Sequence, residues 1–313
     1  PTAFLSLATH QVRANEFQAA RHQLTSLPKT GFYPYLKSLL IAWTVAGDGE
    51  GDSALEKLKF LLESSNFSAT HDYHAGLIAD LFGMNDAAHA TYRSAVTSVR
   101  GPRLRSVLAA GSFYERNGRP EEARRLYEDF PNAGPETTAL DTALKRLQDG
   151  HVALPFVNDA RQGYAEALFE IAASFFKDRA YEPALIYVQM ALHVRPDLDV
   201  GRILLADIYV ATEHYVDAVG AFREVSPESP FRWSARIRLA NALNQAGELE
   251  QASKELRALA TERTERADPL MALADLFRSE ERYKDAVSVY DEAIDRIAKI
   301  QQHHWTLFYA RGM

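Results

Sequence analysis

The chain has 313 residues, of which 47% are hydrophobic and 25% charged, as in ordinary folded proteins and unlike disordered or fibrous ones. It contains no cysteine, which excludes disulfides, thiolate catalysis and cysteine-based zinc sites, and no apolar run long enough to span a membrane. The net charge is −7 and the acidic excess falls in residues 165–313, which argues against binding to nucleic acid or to an anionic membrane surface.

Small residues recur about every 34 positions along residues 1–135. One series consists of Ala8, Ala42, Gly76 and, one residue late, Gly111. A second consists of Ala20, Ala54, Ala88 and Ala123, and four positions after its members stand Leu24, Leu58, Tyr92 and Tyr127. Glycines between the two series, at Gly47, Gly83 and Gly118, are typical of tight turns. The pattern predicts four units, each of two helices joined by a short turn.

The repeat is interrupted once, by an insertion over residues 136–164. The spacing predicts an amphipathic helix over 137–147 and irregular chain over 151–163. Two interpretations of the irregular part stay open. It is either a packed linker that joins two repeat arrays, or a segment whose Leu154, Pro155 and Phe156 dock into a groove as a built-in ligand or hinge.

The spacing resumes over residues 165–298. The two small series continue as Ala172, Ala206, Ala240 and Ala274, and as Ala184, Ala218, Ala252 and Ala286. The large apolar positions are Val188, Phe222, Leu256 and Tyr290. Each predicted helix has one apolar stripe, and two short helices alone do not bury both stripes, so neighbouring units must stack.

The two ends of the chain suggest a piece of a longer protein. Pro1 is not an initiator methionine, and no signal peptide precedes the first repeat. Residues 299–313 look like the truncated start of a ninth unit, because a helical pattern runs to Met313 without a capping glycine.

This grid of small, large apolar and turn positions resembles the tetratricopeptide repeat (TPR). The resemblance covers residues 1–135 and 165–298 and implies an all-α fold, a right-handed α-solenoid (superhelix) of about eight helix-turn-helix units. The arrangement is also similar to long multi-repeat proteins of alphaproteobacteria, which implies a bacterial protein of the cytoplasm or periplasm without deciding between the two.

No motif in the sequence indicates catalysis or a bound cofactor. Phosphate-loop, dinucleotide-binding, zincin and nucleophile-elbow patterns are all missing. His71 and His74 share a helix face and His303 is followed by His304, but neither pair predicts a complete metal site. The acids around Gly49 lack the closing glutamate of a calcium loop. We therefore expect no catalytic, cofactor-binding or metal-binding residues.

The family resemblance implies that a partner binds the concave face, which the first helix of each unit lines. The inward positions of the front array are mainly apolar and aromatic: Leu39, Trp43, Tyr73, Leu77, Leu108 and Ser112. Those of the rear array are mainly polar and acidic: Glu166, Phe169, Ile203, Asp207, Asn241, Asn244, Asp275 and Arg278. The alternative for Trp43 and Tyr73 is that they fill the core between repeats. The family's lysine-asparagine clamp for a C-terminal carboxylate is matched only at Asn241.

These patterns predict a non-catalytic scaffold that binds a protein or peptide, basic or neutral in preference to acidic, on its helical groove. One alternative is a regulatory or assembly subunit of a bacterial cell-envelope enzyme complex. Another is a binder of a metal or small ligand. The oligomeric state and the identity of the partner stay open.

Overall fold

A computed structural model describes residues 1–97, 101–131, 137–297 and 305–312. Within these ranges the chain forms eighteen α-helices and one short 3₁₀ segment, Lys59–Glu63, with no β-strand. The all-α fold predicted from the repeat is confirmed. In the described part of the chain, no helix combines the length and the hydropathy needed to cross a bilayer.

The helices follow one another as pairs that match the predicted units. The first four pairs are α1 (Thr2–Arg13) and α2 (Phe17–Thr25), α3 (Tyr33–Gly47) and α4 (Gly51–Leu58), α5 (Ser68–Leu81) and α6 (Asn85–Val96), and α7 (Leu104–Arg116) and α8 (Pro120–Glu128). The insertion contributes α9 (Thr138–Gln148). The remaining helices are α10 (Ala160–Lys177), α11 (Tyr181–Val194), α12 (Asp199–Ala211), α13 (Tyr215–Arg223), α14 (Arg232–Gln245), α15 (Leu249–Glu262), α16 (Asp268–Ser279), α17 (Tyr283–Asp295) and α18 (Trp305–Gly312).

Each of the eight pairs turns on a residue with positive φ. These residues are Asn15, Gly49, Gly83, Gly118, Arg179, Glu213, Gly247 and Glu281. A left-handed residue after a helix lets the chain reverse and satisfies the last carbonyl groups of the helix. The sequence correctly indicates turns at Gly83 and Gly118, but in the second pair the turn residue is Gly49, because Gly47 is still the last residue of α3.

The small residues of the repeat lie where the two helices of a pair meet. All of the alanines in the two series are at most 2% exposed. Two units have glycine instead of alanine in the first series, and in both a tyrosine ring occupies the space that the alanine methyl group would fill. A Cβ on Gly76 would lie 2.6 Å from Tyr92, and one on Gly111 would lie 2.2 Å from Tyr127. The large apolar partner thus sets how small the facing residue must be.

The inserted segment differs partly from its prediction. The amphipathic helix over 137–147 is confirmed as α9, but irregular chain ends at Asp159 instead of residue 163. The Asp159 carboxylate accepts the Gln162 backbone N–H at 2.8 Å, which caps α10 and starts it at Ala160. The predicted boundary between linker and rear array, at 164 and 165, therefore falls inside a helix.

Contacts divide the chain into two compact units. The first unit comprises residues 1–131 and 140–201, and the second comprises 132–139 and 202–313. In the first unit α10 packs mainly on α3 and also on α5 and α1, while α11 packs on α1. The pair α10 and α11, which the repeat spacing groups with the rear array, thus belongs to the packing of the front helices. The spacing defines a pair of helices but not the surface on which the pair packs.

The second unit has one continuous apolar core. It runs from α12 through α17 and includes Phe222, Leu239, Leu256 and Leu273. Leu307 of α18 joins this core with 2% exposure. The predicted start of a ninth unit is therefore helical from Trp305 to Gly312, while residues 299–304 and 313 lie outside the described residues.

Candidate functional site

The apolar groove residues predicted for the front array lie in the core of the first unit. Leu39, Trp43, Tyr73 and Leu77 are at most 4% exposed, and Leu108 is half-buried. Helix α10 packs on α3 and α5, and it contacts Trp43 through Gly163 and Tyr73 through Glu166. Trp43 and Tyr73 thus lie in the core, as the alternative interpretation expects.

A hydrogen-bonded chain joins α3, α5 and α10 in this core. Trp43 donates its indole N–H to Nδ1 of His74 at 3.0 Å, and Nε2 of His74 lies 3.1 Å from a carboxylate oxygen of Glu170. An indole nitrogen only donates, so Nδ1 accepts and the proton of the neutral ring sits on Nε2. His74 thus has both nitrogens engaged and serves as a connector rather than as a metal ligand.

Glu170 is the charged end of this chain. It accepts the hydroxyl of Thr70 at 2.7 Å and forms an ion pair with Arg103. Burial by itself raises the pKa of the Glu170 carboxyl, but the hydrogen bonds from His74 and Thr70 and the charge of Arg103 outweigh burial and lower the pKa below its ordinary value. The carboxylate therefore stays ionised over the whole physiological range.

A second carboxylate, fully buried, lies one helical turn earlier on α10. Glu166 accepts the phenol O–H of Tyr73 at 2.8 Å and forms an ion pair with Arg105 of α7. Burial raises the pKa of Glu166, and the Arg105 charge and hydrogen bonds bring it below its ordinary value. Two carboxylates on one face of α10 thus fasten it to α5 and α7.

The irregular segment before α10, residues 151–157, lies against α7, and we call it the arm. The Ala153 backbone N–H donates to Glu115 at 2.9 Å, and Ser112 donates its hydroxyl to the Leu154 carbonyl at 2.7 Å. The Arg105 guanidinium lies 4.7 Å from the centre of the Phe156 ring.

The arm is docked, as the built-in-ligand interpretation expects, but not by the predicted trio of side chains. Leu154 is 82% exposed, Pro155 is exposed and Phe156 is half-buried, whereas Ala153 and Val157 are buried. Backbone hydrogen bonds, the Phe156 ring and the buried side chains of Ala153 and Val157 hold the arm in place.

Glu115 joins the arm to the rest of the first unit. Besides the arm it accepts the hydroxyl of Tyr127 at 2.8 Å and two guanidinium N–H groups of Arg146 at 2.7 and 3.0 Å. Sequence reasoning did not predict this role or the pairings of Glu166 and Glu170. The available signal was a glutamate in an otherwise apolar helical stripe, which requires a buried partner.

The polar groove residues predicted for the second unit lie at its surface. Asn241, Asp275 and Arg278 are exposed, and Asp207 and Asn244 are half-buried. The side-chain oxygen of Asn244 is buried and has no hydrogen-bond partner among the described residues. These positions come from α12, α14 and α16, the first helix of each pair.

Both acidic residues of this surface are paired with arginine. Asp207 forms an ion pair with Arg238. Asp275 accepts the phenol O–H of Tyr290 at 2.6 Å and lies 3.3 Å from the guanidinium of Arg278. The surface is therefore closer to neutral than the acidic composition of residues 165–313 suggests, and the preference for a basic or neutral partner stays a prediction.

In the described part of the chain, no three histidine, aspartate or glutamate side chains come together as a metal site. His71 is hydrogen-bonded to Asp72 at 2.9 Å, and His74 is engaged with Trp43 and Glu170. The second predicted pair, His303 and His304, lies outside the described residues.

Two family models, both described as tetratricopeptide repeat, match residues 203–269 and 270–304. No curated protein sequence matches the chain. Among solved structures, a tetratricopeptide repeat protein from Parabacteroides merdae is similar, with 16% identity, a TM-score of 0.39, and coverage of 90% of this chain and 99% of that one. A TPR protein of Thermus thermophilus has 20% identity and a TM-score of 0.41, covering 66% and 98% of the two chains. MamA of strain MSR-1 has 17% identity and a TM-score of 0.36, covering 61% and 94%.

Proposed function

Because the chain is a tetratricopeptide-repeat protein, we propose that it is a non-catalytic scaffold that binds a protein partner through α12, α14 and α16. The observation that carries the proposal is the contrast between the two units. The inward positions of the second unit, such as Asn241 and Asp275, are open to solvent, whereas Trp43 and Leu77 at the same repeat positions of the first unit are buried. The accessible binding positions are those of the second unit.

The chemistry of this surface suits a peptide segment with little charge. The exposed amide of Asn241 both donates and accepts hydrogen bonds. A partner that supplies backbone N–H and C=O groups satisfies this side chain. Since Asp207 and Asp275 are already paired with arginines, a strongly charged ligand gains little here.

The test is affinity capture from cells of the source organism with the whole chain and two variants. In the first variant, Asn241→Ala and Asn244→Ala remove both amides from the surface. The matched control is Gln245→Ala, which removes an exposed amide at the end of the same helix. We expect wild type and the control to retain the same partner and the double variant to lose it. Equal capture by all three proteins would contradict the proposal.

A further inference from the structure

The arm follows one face of α7. Arg105, Ser112 and Glu115 are two turns and then one turn apart, which places them in a row along the helix. Their partners come in the reverse order, with Phe156 at Arg105, the Leu154 carbonyl at Ser112 and the Ala153 N–H at Glu115. The arm therefore runs antiparallel to α7, in register with a row of side chains that would face a ligand.

The contacts are of the kind that hold a peptide rather than a structural core. One backbone N–H, one carbonyl and one aromatic ring are bound and the side chains of Ala153 and Val157 are buried, while those of Val152 and Leu154 are 60% and 82% exposed. Recognition through backbone groups with a single aromatic anchor is independent of most of the sequence of the bound segment.

The row on α7 does not need the arm to keep its geometry. Glu115 remains fixed by Tyr127 of α8 and by Arg146 of α9, and Arg105 remains paired with Glu166 of α10. The arm has no secondary structure of its own and lies between the end of α9 and the start of α10. Its release therefore requires no helix to unwind, and it costs the two hydrogen bonds to α7, one ring contact and the burial of the Ala153 and Val157 side chains.

We propose that this face of α7 is a peptide-binding site, occupied in cis by the arm, that accepts an extended, uncharged segment with an aromatic residue in place of the arm. The site is separate from the surface of α12, α14 and α16, so either proposal can fail without the other. Arg105 covers the aromatic ring, Ser112 donates to a carbonyl, and Glu115 accepts a backbone N–H.

A tethered arm competes with any free peptide. Short tethers give effective concentrations in the millimolar range, so an occupied site binds a free peptide about ten to a hundred times more weakly than a vacant one. Weakening the arm therefore tightens the binding of an external peptide, whereas loss of a purely structural contact does not.

The probe is a fluorescent, end-capped peptide with the sequence of residues 151–157. It is titrated into the whole wild-type chain, a Phe156→Ala variant and a Leu154→Ala control. We expect Phe156→Ala to bind the peptide about tenfold more tightly than wild type, because its own arm has lost the ring contact. Leu154→Ala should match wild type, because the Leu154 side chain is largely exposed. A probe with the phenylalanine replaced by alanine should bind none of the three.

A second measurement, hydrogen exchange, needs only the wild-type chain. It therefore tests the proposal even if the Phe156→Ala variant fails to fold. Excess peptide displaces the arm, so hydrogen exchange of the Ala153 amide should speed up as its bond to Glu115 is lost.

Adding Ser112→Ala to Phe156→Ala should weaken peptide binding without changing the circular dichroism spectrum. A folded Phe156→Ala variant that binds no better than wild type, or an Ala153 amide unaffected by saturating peptide, would overturn the proposal.

Discussion

Gly163 of α10 lies directly against Trp43 of α3. A Cβ placed on Gly163 would be 2.1 Å from Cζ3 of the indole, far inside van der Waals contact. The absent side chain lets α10 approach closely enough for Glu166 and Glu170 to reach their partners on α5 and α7. The docking of α10 in the first unit thus depends on a glycine and two carboxylates acting together.

Gly163→Ala should destabilise the first unit by about 1 to 3 kcal/mol, because an overpacked contact outweighs the gain in helix propensity. The measurement is urea unfolding followed by circular dichroism and by tryptophan fluorescence. Gly220→Ala is the matched control, since no atom lies within 4 Å of a Cβ at that helical position. The control should be neutral or stabilise by up to about 1 kcal/mol. Equal free energies of unfolding for both variants would refute the close contact.

The first unit should lose stability in acid through Glu170. Its pKa in the folded chain lies below the ordinary value of 4.5, so the stabilising contribution is complete above about pH 5 and is lost as pH falls through the lowered pKa. Glu170→Gln should remove about 1 to 3 kcal/mol at pH 7, and progressively less as pH falls. The readout is the free energy of unfolding from pH 7 to 2, with the exposed Glu182→Gln as control. Parallel curves for wild type and Glu170→Gln would count against this role.

The helix pairs and their buried positions were predictable because they depend on local spacing. An alanine or glycine about every 34 residues on either side of the insertion places the contact between paired helices, and every alanine of the two series is buried. The position of α10 was not predictable in the same way. It depends on which distant surface matches Gly163, Glu166 and Glu170, and sequence spacing has no information about partners far apart in the chain. Trp43 was accordingly expected in a groove and lies instead beneath α10.

The turn positions give a test of backbone strain. Glu213 and Gly247 occupy the same turn position in successive pairs, with φ of 64° and 83°. A residue with a Cβ is disfavoured there by about 1 to 2 kcal/mol, while glycine loses more entropy on folding. Glu213→Gly should therefore stabilise the second unit by up to about 1 kcal/mol, and Gly247→Ala should destabilise it by about as much. Thermal and urea unfolding measure both, and a destabilised Glu213→Gly variant would contradict the assigned conformation.

Ala206 offers a test of the repeat register itself. It is fully buried in α12 within the core that also contains Phe222 of α13. Ala206→Leu adds three carbon atoms at the contact of the two helices and should cost about 1 to 3 kcal/mol in the free energy of unfolding. The control, Ala211→Leu, makes the same change at the exposed last residue of α12 and should cost little. If the two substitutions lower the midpoint of unfolding equally, the small residue of the repeat is not what sets the spacing of the helices.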